Sequence, residues 1–319
     1  MTSESARTAL RARIAQELEG SVAAPIQALA SQLASRAGGG AAAVLFYGSG
    51  LRDHTLEGVL DFYVLLDHCA DWPASRMAAW ANGVLPPNVG WLETVAEGGR
   101  RLRAKVAVMA TVQFEAAVRG DSIDTTLWAR FSQPSRLVHV RAAEDRDRVI
   151  DAICTATVTA ARWSAVLGPD RGAPEAFWRA LYARTYAAEL RVESSGRGED
   201  LVRRDASRYE ALLPLAWNTD GIRFDSSPEA DGGIHPLITD AERDQLHRRW
   251  ARRERLGRPL NVLRLLKAAC TFDNAADYAA WKVERHTGVR LELSDWQRRH
   301  PLLAAPGVYF RLRRQGLLR

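Results

Sequence analysis

Apolar residues recur at helical spacing through the first 36 positions: Leu10, Ile14, Leu18, Ile26, Leu29 and Leu33. They predict one or two amphipathic helices over residues 5–36. Gly38-Gly39-Gly40 breaks that pattern, and two runs rich in Val, Leu, Phe and Tyr follow at 42–47 and 59–66. These read as buried strands, joined by a polar loop from Leu51 to Gly58. A short helix is expected over 74–82, a strand from Trp91 to Val95 and another from Leu102 to Val108. A helix at 111–118 and a strand from Arg136 to Val140 complete the sheet region. From 143 to about 215 the spacing is helical almost throughout. Residues 218–240, rich in Asp, Gly, Ser and Pro, read as a linker. Helices are expected again over about 239–256 and 260–287.

The order of elements predicts an α+β protein, a mixed-sheet domain followed by a helical one. The expected divisions are an N-terminal helical segment (1–39), a sheet domain of the nucleotidyltransferase type (40–142), a helical domain (143–217), a linker (218–240) and a basic helical segment (241–319). A chain of 319 residues with 47% apolar content can bury a sizeable core. Cys69, Cys154 and Cys270 are scattered and odd in number, which fits a reducing compartment better than a disulfide framework. The opening residues lack the basic flank and apolar core of a signal peptide, and no apolar run approaches the length of a spanning helix. The expectation is a cytoplasmic protein, with any membrane contact peripheral to the inner face.

The net charge of +6 is unevenly spread. Residues 241–319 hold 18 Lys/Arg against 8 Asp/Glu, leaving 26 against 30 for residues 1–240. A basic C-terminal quarter on a slightly acidic body points to an anionic partner surface. Only three of the 44 basic residues are lysines, namely Lys105, Lys267 and Lys282. Lys105 stands alone in the first 266 residues, inside an apolar strand pattern, and invites a reason.

The chemistry is concentrated at the first two strands. Gly48-Ser49-Gly50 ends the first, and eleven residues separate Ser49 from Asp61, which opens the second. A Gly-Ser turn lets backbone N–H groups approach a triphosphate. Asp in an apolar strand is costly unless paired or metal-bound, and here it is a candidate ligand for Mg²⁺. The pattern resembles the polymerase-β-type nucleotidyltransferase signature, with Tyr63 where a second acid is expected. Asp67 shares the face but lies roughly 20 Å along the strand, too far for a paired metal site, and reads as a strand-end residue. Lys105 could supply charge to a triphosphate, or lie at a strand edge with its stem packed and its head in water.

Four segments together resemble the mitochondrial-type, soluble phosphatidate cytidylyltransferase family. They are Tyr47-Gly48-Ser49-Gly50 with Leu60-Asp61-Phe62, the lysine-led Lys105–Val108, the stretch Leu127–Pro134 with Arg130, and Thr185–Arg191 with Glu189 and Arg191. An apolar residue in place of the second acid is also a trait of that family. Ala129 and Ala188 stand where the family has Gly, and Glu189 where it has Asp. The resemblance implies a Mg²⁺-dependent enzyme joining CTP and phosphatidic acid into CDP-diacylglycerol and pyrophosphate for phospholipid synthesis. It implies Asp61, Lys105 and Glu189 as catalytic residues, Asp61 as metal ligand, and Gly48, Ser49, Gly50, Arg130 and Arg191 on the nucleotide and phosphates.

Glu189 and Glu193 share a helical face and could supply the acid that Tyr63 does not. For each arginine the plain alternative is a surface ion pair. The C-terminal stripe of Val262, Leu263, Leu265, Leu266 and Phe272, with Trp281, Trp296, Tyr309 and Phe310 beside basic residues, suits an interfacial anchor on an anionic membrane or a helical layer packed on the body. No nucleic-acid motif is present. The other functions weighed are a nucleotidyltransferase acting on an RNA end or a protein hydroxyl, and a non-catalytic nucleotide-binding protein.

Overall fold

The computed structural model describes residues 2–188, 197–226, 233–272, 274–288 and 291–299, with Ala304 and Gly307. The fold is α+β. Two helices, α1 (Ser3–Leu18) and α2 (Ala24–Arg36), precede strand β1 (Ala41–Tyr47). A one-turn helix α3 (Ser49–Arg52) leads to β2 (Leu60–Leu66), then α4 (Arg76–Val84), β3 (Asn88–Val95) and β4 (Arg101–Ala110). Helices α5 (Thr111–Ala117) and α6 (Thr126–Phe131) connect to β5 (Ser135–Val140). The helical half comprises α7 (Ala143–Leu167), α8 (Pro174–Ala188), α9 (Arg197–Arg204) and α10 (Ala206–Asp220).

The sheet order is β3-β4-β2-β1-β5. Only β2 and β4 pair in parallel; the remaining pairs are antiparallel. Both faces are covered, which is why β1 and β2 read as continuous apolar runs rather than alternating ones. Ile26, Leu29 and Leu33 of α2 pack on Val44, Phe46, Phe62, Val64 and Val106. On the other face Leu45, Tyr63, Leu65 and Met109 meet Leu10 and Ile14 of α1, Ile150 and Ile153 of α7, and Leu212 and Leu213 of α10. That face carries the larger core.

Three elements depart from the expected pattern. Strand β3 begins at Asn88, three residues before the apolar stretch. The Asn88 side chain donates to the carbonyl of Ala78 at 2.8 Å, and its N–H donates to the Asn82 side chain at 3.0 Å. Tertiary hydrogen bonds thus hold a poor strand former in place. The expected linker contains the end of α10, capped by Gly221 at φ 78°, so the division at 217 falls inside that helix. It also contains a short pair, β6 (Phe224–Asp225) and β7 (His235–Pro236).

Helix α11 (Asp240–Thr271) runs through Pro259, where a break was expected. Both of its halves are anchored. Thr239 and Glu242 form a reciprocal cap at its start, and Arg253 lies over the Trp163 ring at 4.4 Å and donates to the carbonyls of Ser122 and Gly120. Further on, Arg264 and Lys267 reach the α4–β3 loop. These contacts offset the missing N–H of proline. Helices α12 (Ala275–Thr287) and α13 (Asp295–Arg299) follow. No described helix is long and apolar enough to cross a membrane.

Candidate active site

Strand register places the key residues in two rows across one face of the sheet. The first row is Tyr47 of β1, Asp61 of β2, Lys105 of β4 and Trp91 of β3; the second is Leu45, Tyr63, Ala107 and Val89. Neighbouring strands lie about 4.8 Å apart, so the backbone brings Asp61 and Lys105 side by side. Both are half-buried. Lys105 belongs to an inner strand, not a sheet edge.

The turn after β1 is built around Asp61. Gly48 has φ 88° and ψ −160°, a region essentially closed to residues with a Cβ. A Cβ there would stand 2.5 Å from Oδ2 of Asp61. The carboxylate therefore lies directly against the glycine backbone. Ser49 is exposed at the start of α3, whose turn is closed by the N–H of Arg52 donating to the Gly48 carbonyl at 3.2 Å and that of Asp53 to the Ser49 carbonyl at 2.8 Å. Gly50 is buried, and a Cβ on it would come within 3.0 Å of Leu60 and 3.3 Å of Phe46. Its visible task is packing of the turn onto the core.

Tyr63 is buried in an aromatic group with Tyr47, Phe114 and Phe131, its ring edge-on to Phe131 at 5.1 Å. Burial pushes its phenol above the ordinary value, against the opposing charge of Arg130. A carboxylate here would be desolvated among rings. Arg130 lies over Tyr47 and Tyr63, 5.4 and 6.0 Å from the ring centroids, and its Nη1 donates to the Tyr63 hydroxyl at 3.4 Å. The aromatic shelf thus holds a cation over both rows. Asp67 pairs with Arg141 beyond the far end of β2, as expected of a strand-end residue.

Tyr47, Tyr63, Lys105, Ala107 and Arg130 form one side of a cavity of about 600 Å³. Helices α11 and α12 form the other side with Arg264, Leu265, Lys267, Phe272, Tyr278 and Lys282. Five cations line this space, and no acidic residue is among its described lining. All three lysines of the chain are there. Arg264 is held by Asp124 at 2.7 Å, and Lys282 lies over the Tyr278 ring at 4.9 Å. The Lys267 ammonium donates to the carbonyls of Leu85 and Pro87 at 2.6 and 2.5 Å. Burial, reinforced by Arg264, pushes its pKa down to about 8.

Sequence reasoning reached Gly48, Ser49, Asp61, Lys105 and Arg130, which the fold brings to one end of the sheet. It missed Arg264, Lys267 and Lys282 as parts of the same site. For the two lysines the signal was the rarity of lysine itself, applied to Lys105 alone; Arg264, one of 41 arginines, carried no such signal. Glu189, Arg191 and Glu193 lie outside the described residues. Among the described residues no three His, Cys, Asp or Glu side chains are grouped to hold a metal ion. A scan of protein-family models and a search of curated proteins each returned no match.

Proposed function

We propose that this chain transfers a cytidylyl group from CTP to the phosphate of phosphatidic acid, forming CDP-diacylglycerol and pyrophosphate. The observation that carries the reading is the convergence of every lysine in the chain on one cavity, beside the Gly48–Ser49 turn and Asp61. Several cations without an acid suit a ligand bearing several phosphates. The apolar part of the lining, Val89, Leu127, Leu265 and Phe272, suits an acceptor whose phosphate adjoins hydrocarbon. The choice of cytosine and of this acceptor rests on the family resemblance.

In this reaction an oxygen of the acceptor phosphate attacks the α-phosphorus of CTP in line. A new P–O bond forms as the bond to the α,β-bridging oxygen breaks, and that electron pair leaves with pyrophosphate. A phosphomonoester is already a competent nucleophile, so the protein's work is positioning and charge stabilisation. Lys105 and Arg130 act on the triphosphate from the sheet side. Arg264, Lys267 and Lys282 act from the helical side, where the acceptor phosphate enters.

Mg²⁺ is bound in such sites through one or two carboxylates, with phosphate oxygens and water completing the shell. Asp61 fits that donor set, its carboxylate lying against the backbone of the glycine turn with no Cβ between them. Bound there, the ion supplies neutralising charge to the triphosphate. Glu189 remains the proposed second acid.

The test is turnover of labelled CTP with phosphatidic acid by wild type and Asp61→Asn. A lipid product from wild type alone supports the reading. Labelled RNA or protein without labelled lipid points to another acceptor, and nucleotide binding without turnover points to a non-catalytic protein.

A further inference from the structure

We propose that α4, the start of α5 and the second half of α11 form one surface that docks on an anionic lipid bilayer. Met77, Trp80 and Val84 lie at helical spacing on α4 and are 62, 69 and 66% exposed, and Val112 on α5 is 60% exposed. On α11, Leu265 and Leu266 are 67 and 61% exposed. Large apolar side chains exposed in such a group mark an interaction surface.

Specific bonds bring the three helices together. The Gln113 side chain of α5 donates to the carbonyls of Asn82 and Gly83 at the end of α4. Lys267 and Arg264 of α11 donate to carbonyls of Leu85, Pro86 and Pro87, the residues that directly follow α4. The three helices that carry the exposed apolar positions therefore meet at one loop, with Arg264 and Lys267 turned toward it and Leu265 and Leu266 toward solvent.

Two observations select an anionic bilayer as occupant. Leu265 belongs both to the exposed face and to the wall of the cation-lined cavity, so the surface ends where phosphate is expected to enter. The chain from 241 onward carries ten more basic than acidic residues, which draws it to anionic lipid at about 1 kcal/mol for each cation near the surface. The C-terminal aromatics contribute less than their sequence pattern implies. Trp281 is buried against Trp91 with ring centroids 5.1 Å apart, and Tyr309 and Phe310 lie outside the described residues.

The choice of lipid over another anionic surface rests on the proposed acceptor, so the test measures docking without nucleotide. The full chain is floated with phosphatidylcholine vesicles, with and without phosphatidylglycerol, as wild type, Trp80→Glu and Leu266→Glu. Both sites are exposed, and unchanged unfolding midpoints verify that the variants fold. Wild type is expected to float with the phosphatidylglycerol vesicles, and each variant to lose about tenfold in partition. Wild-type flotation by Trp80→Glu, or no flotation of wild type, overturns the proposal. So does a dimer seen by light scattering that Trp80→Glu dissociates while vesicle binding is unchanged. Turnover of a water-soluble, short-chain phosphatidate is measured separately. Its absence, with docking intact and lost in Trp80→Glu, overturns the transferase reading and supports the surface.

Discussion

Replacing Gly48 by Ala tests the geometry on which the candidate site depends. The backbone at this position, φ 88° and ψ −160°, costs a residue with a Cβ about 1–3 kcal/mol. The new methyl would also stand 2.5 Å from Oδ2 of Asp61 and 3.2 Å from its Cβ and Cγ. Moving that oxygen to 3.0 Å requires a shift of at least 0.5 Å, which costs about 0.5–1.5 kcal/mol if it forces an off-rotamer carboxylate. Against this, alanine restricts the unfolded chain and returns about 0.4–1 kcal/mol. The net expectation is a loss of about 0.5–4 kcal/mol. A displaced carboxylate should also lower turnover by roughly tenfold or more.

Urea unfolding of wild type, Gly48→Ala, Asp61→Ala and the double variant separates the two costs. With Asp61 cut back to Ala the clash disappears and the backbone cost remains. Gly48→Ala should therefore be milder by about 0.5–1.5 kcal/mol in that background. A Gly48→Ala protein within about 0.5 kcal/mol of wild type, or a coupling energy of zero, would refute the close contact between turn and carboxylate.

Lys267 carries its charge below its lowered pKa of about 8 and is neutral above it. CTP or pyrophosphate affinity should fall as pH rises through 8, and Lys267→Arg should flatten that dependence in calorimetric titrations. Between this pKa and the ordinary lysine value the unfolded chain binds more protons, so the Lys267 contribution to stability rises with pH there. Asp124 is buried, which alone would raise its pKa, but its hydrogen bonds to Arg264 and to Thr126 hold it below the ordinary value. Its stabilising contribution is present at neutral pH and is lost as pH falls through that depressed value. Asp124→Asn should cost about 2–4 kcal/mol by leaving Arg264 without its charged partner, and should expose α11 to limited proteolysis under conditions where wild type resists.

Much of the sheet was legible because a strand covered on both faces is written as an unbroken apolar run. The limits of β1, β2, β4 and β5 fall within two residues of the positions expected from that signal. Asn88 and Pro259 resist such reading for the same reason. Each is a poor former of the element it occupies: Asn88 is held by its own hydrogen bonds to α4, and the helix around Pro259 by bonds of Arg253, Arg264 and Lys267 to residues far earlier in the chain. Tyr63 is a related case: the resemblance to the nucleotidyltransferase signature expects an acid at its position, while only its ring contacts show why an acid would be costly there. Trp281 illustrates the converse. Beside basic residues it suits a membrane anchor, yet the partner that buries it, Trp91, lies 190 positions earlier in the chain.

The sequence by itself determined the α+β class, the glycine turn after β1 and the acid and lysine on the inner strands. Each of these is a local demand of backbone conformation, alternation or burial. The tertiary structure alone decided that Asp61 and Lys105 sit in register, that Gly48 touches the carboxylate, and that Arg264, Lys267 and Lys282 face Lys105 across one cavity. Periodicity specifies that a face is to be covered, but the covering helix is chosen by packing and hydrogen bonds between residues far apart in the chain. The closure of this site by α11 and α12 is a decision of that second kind.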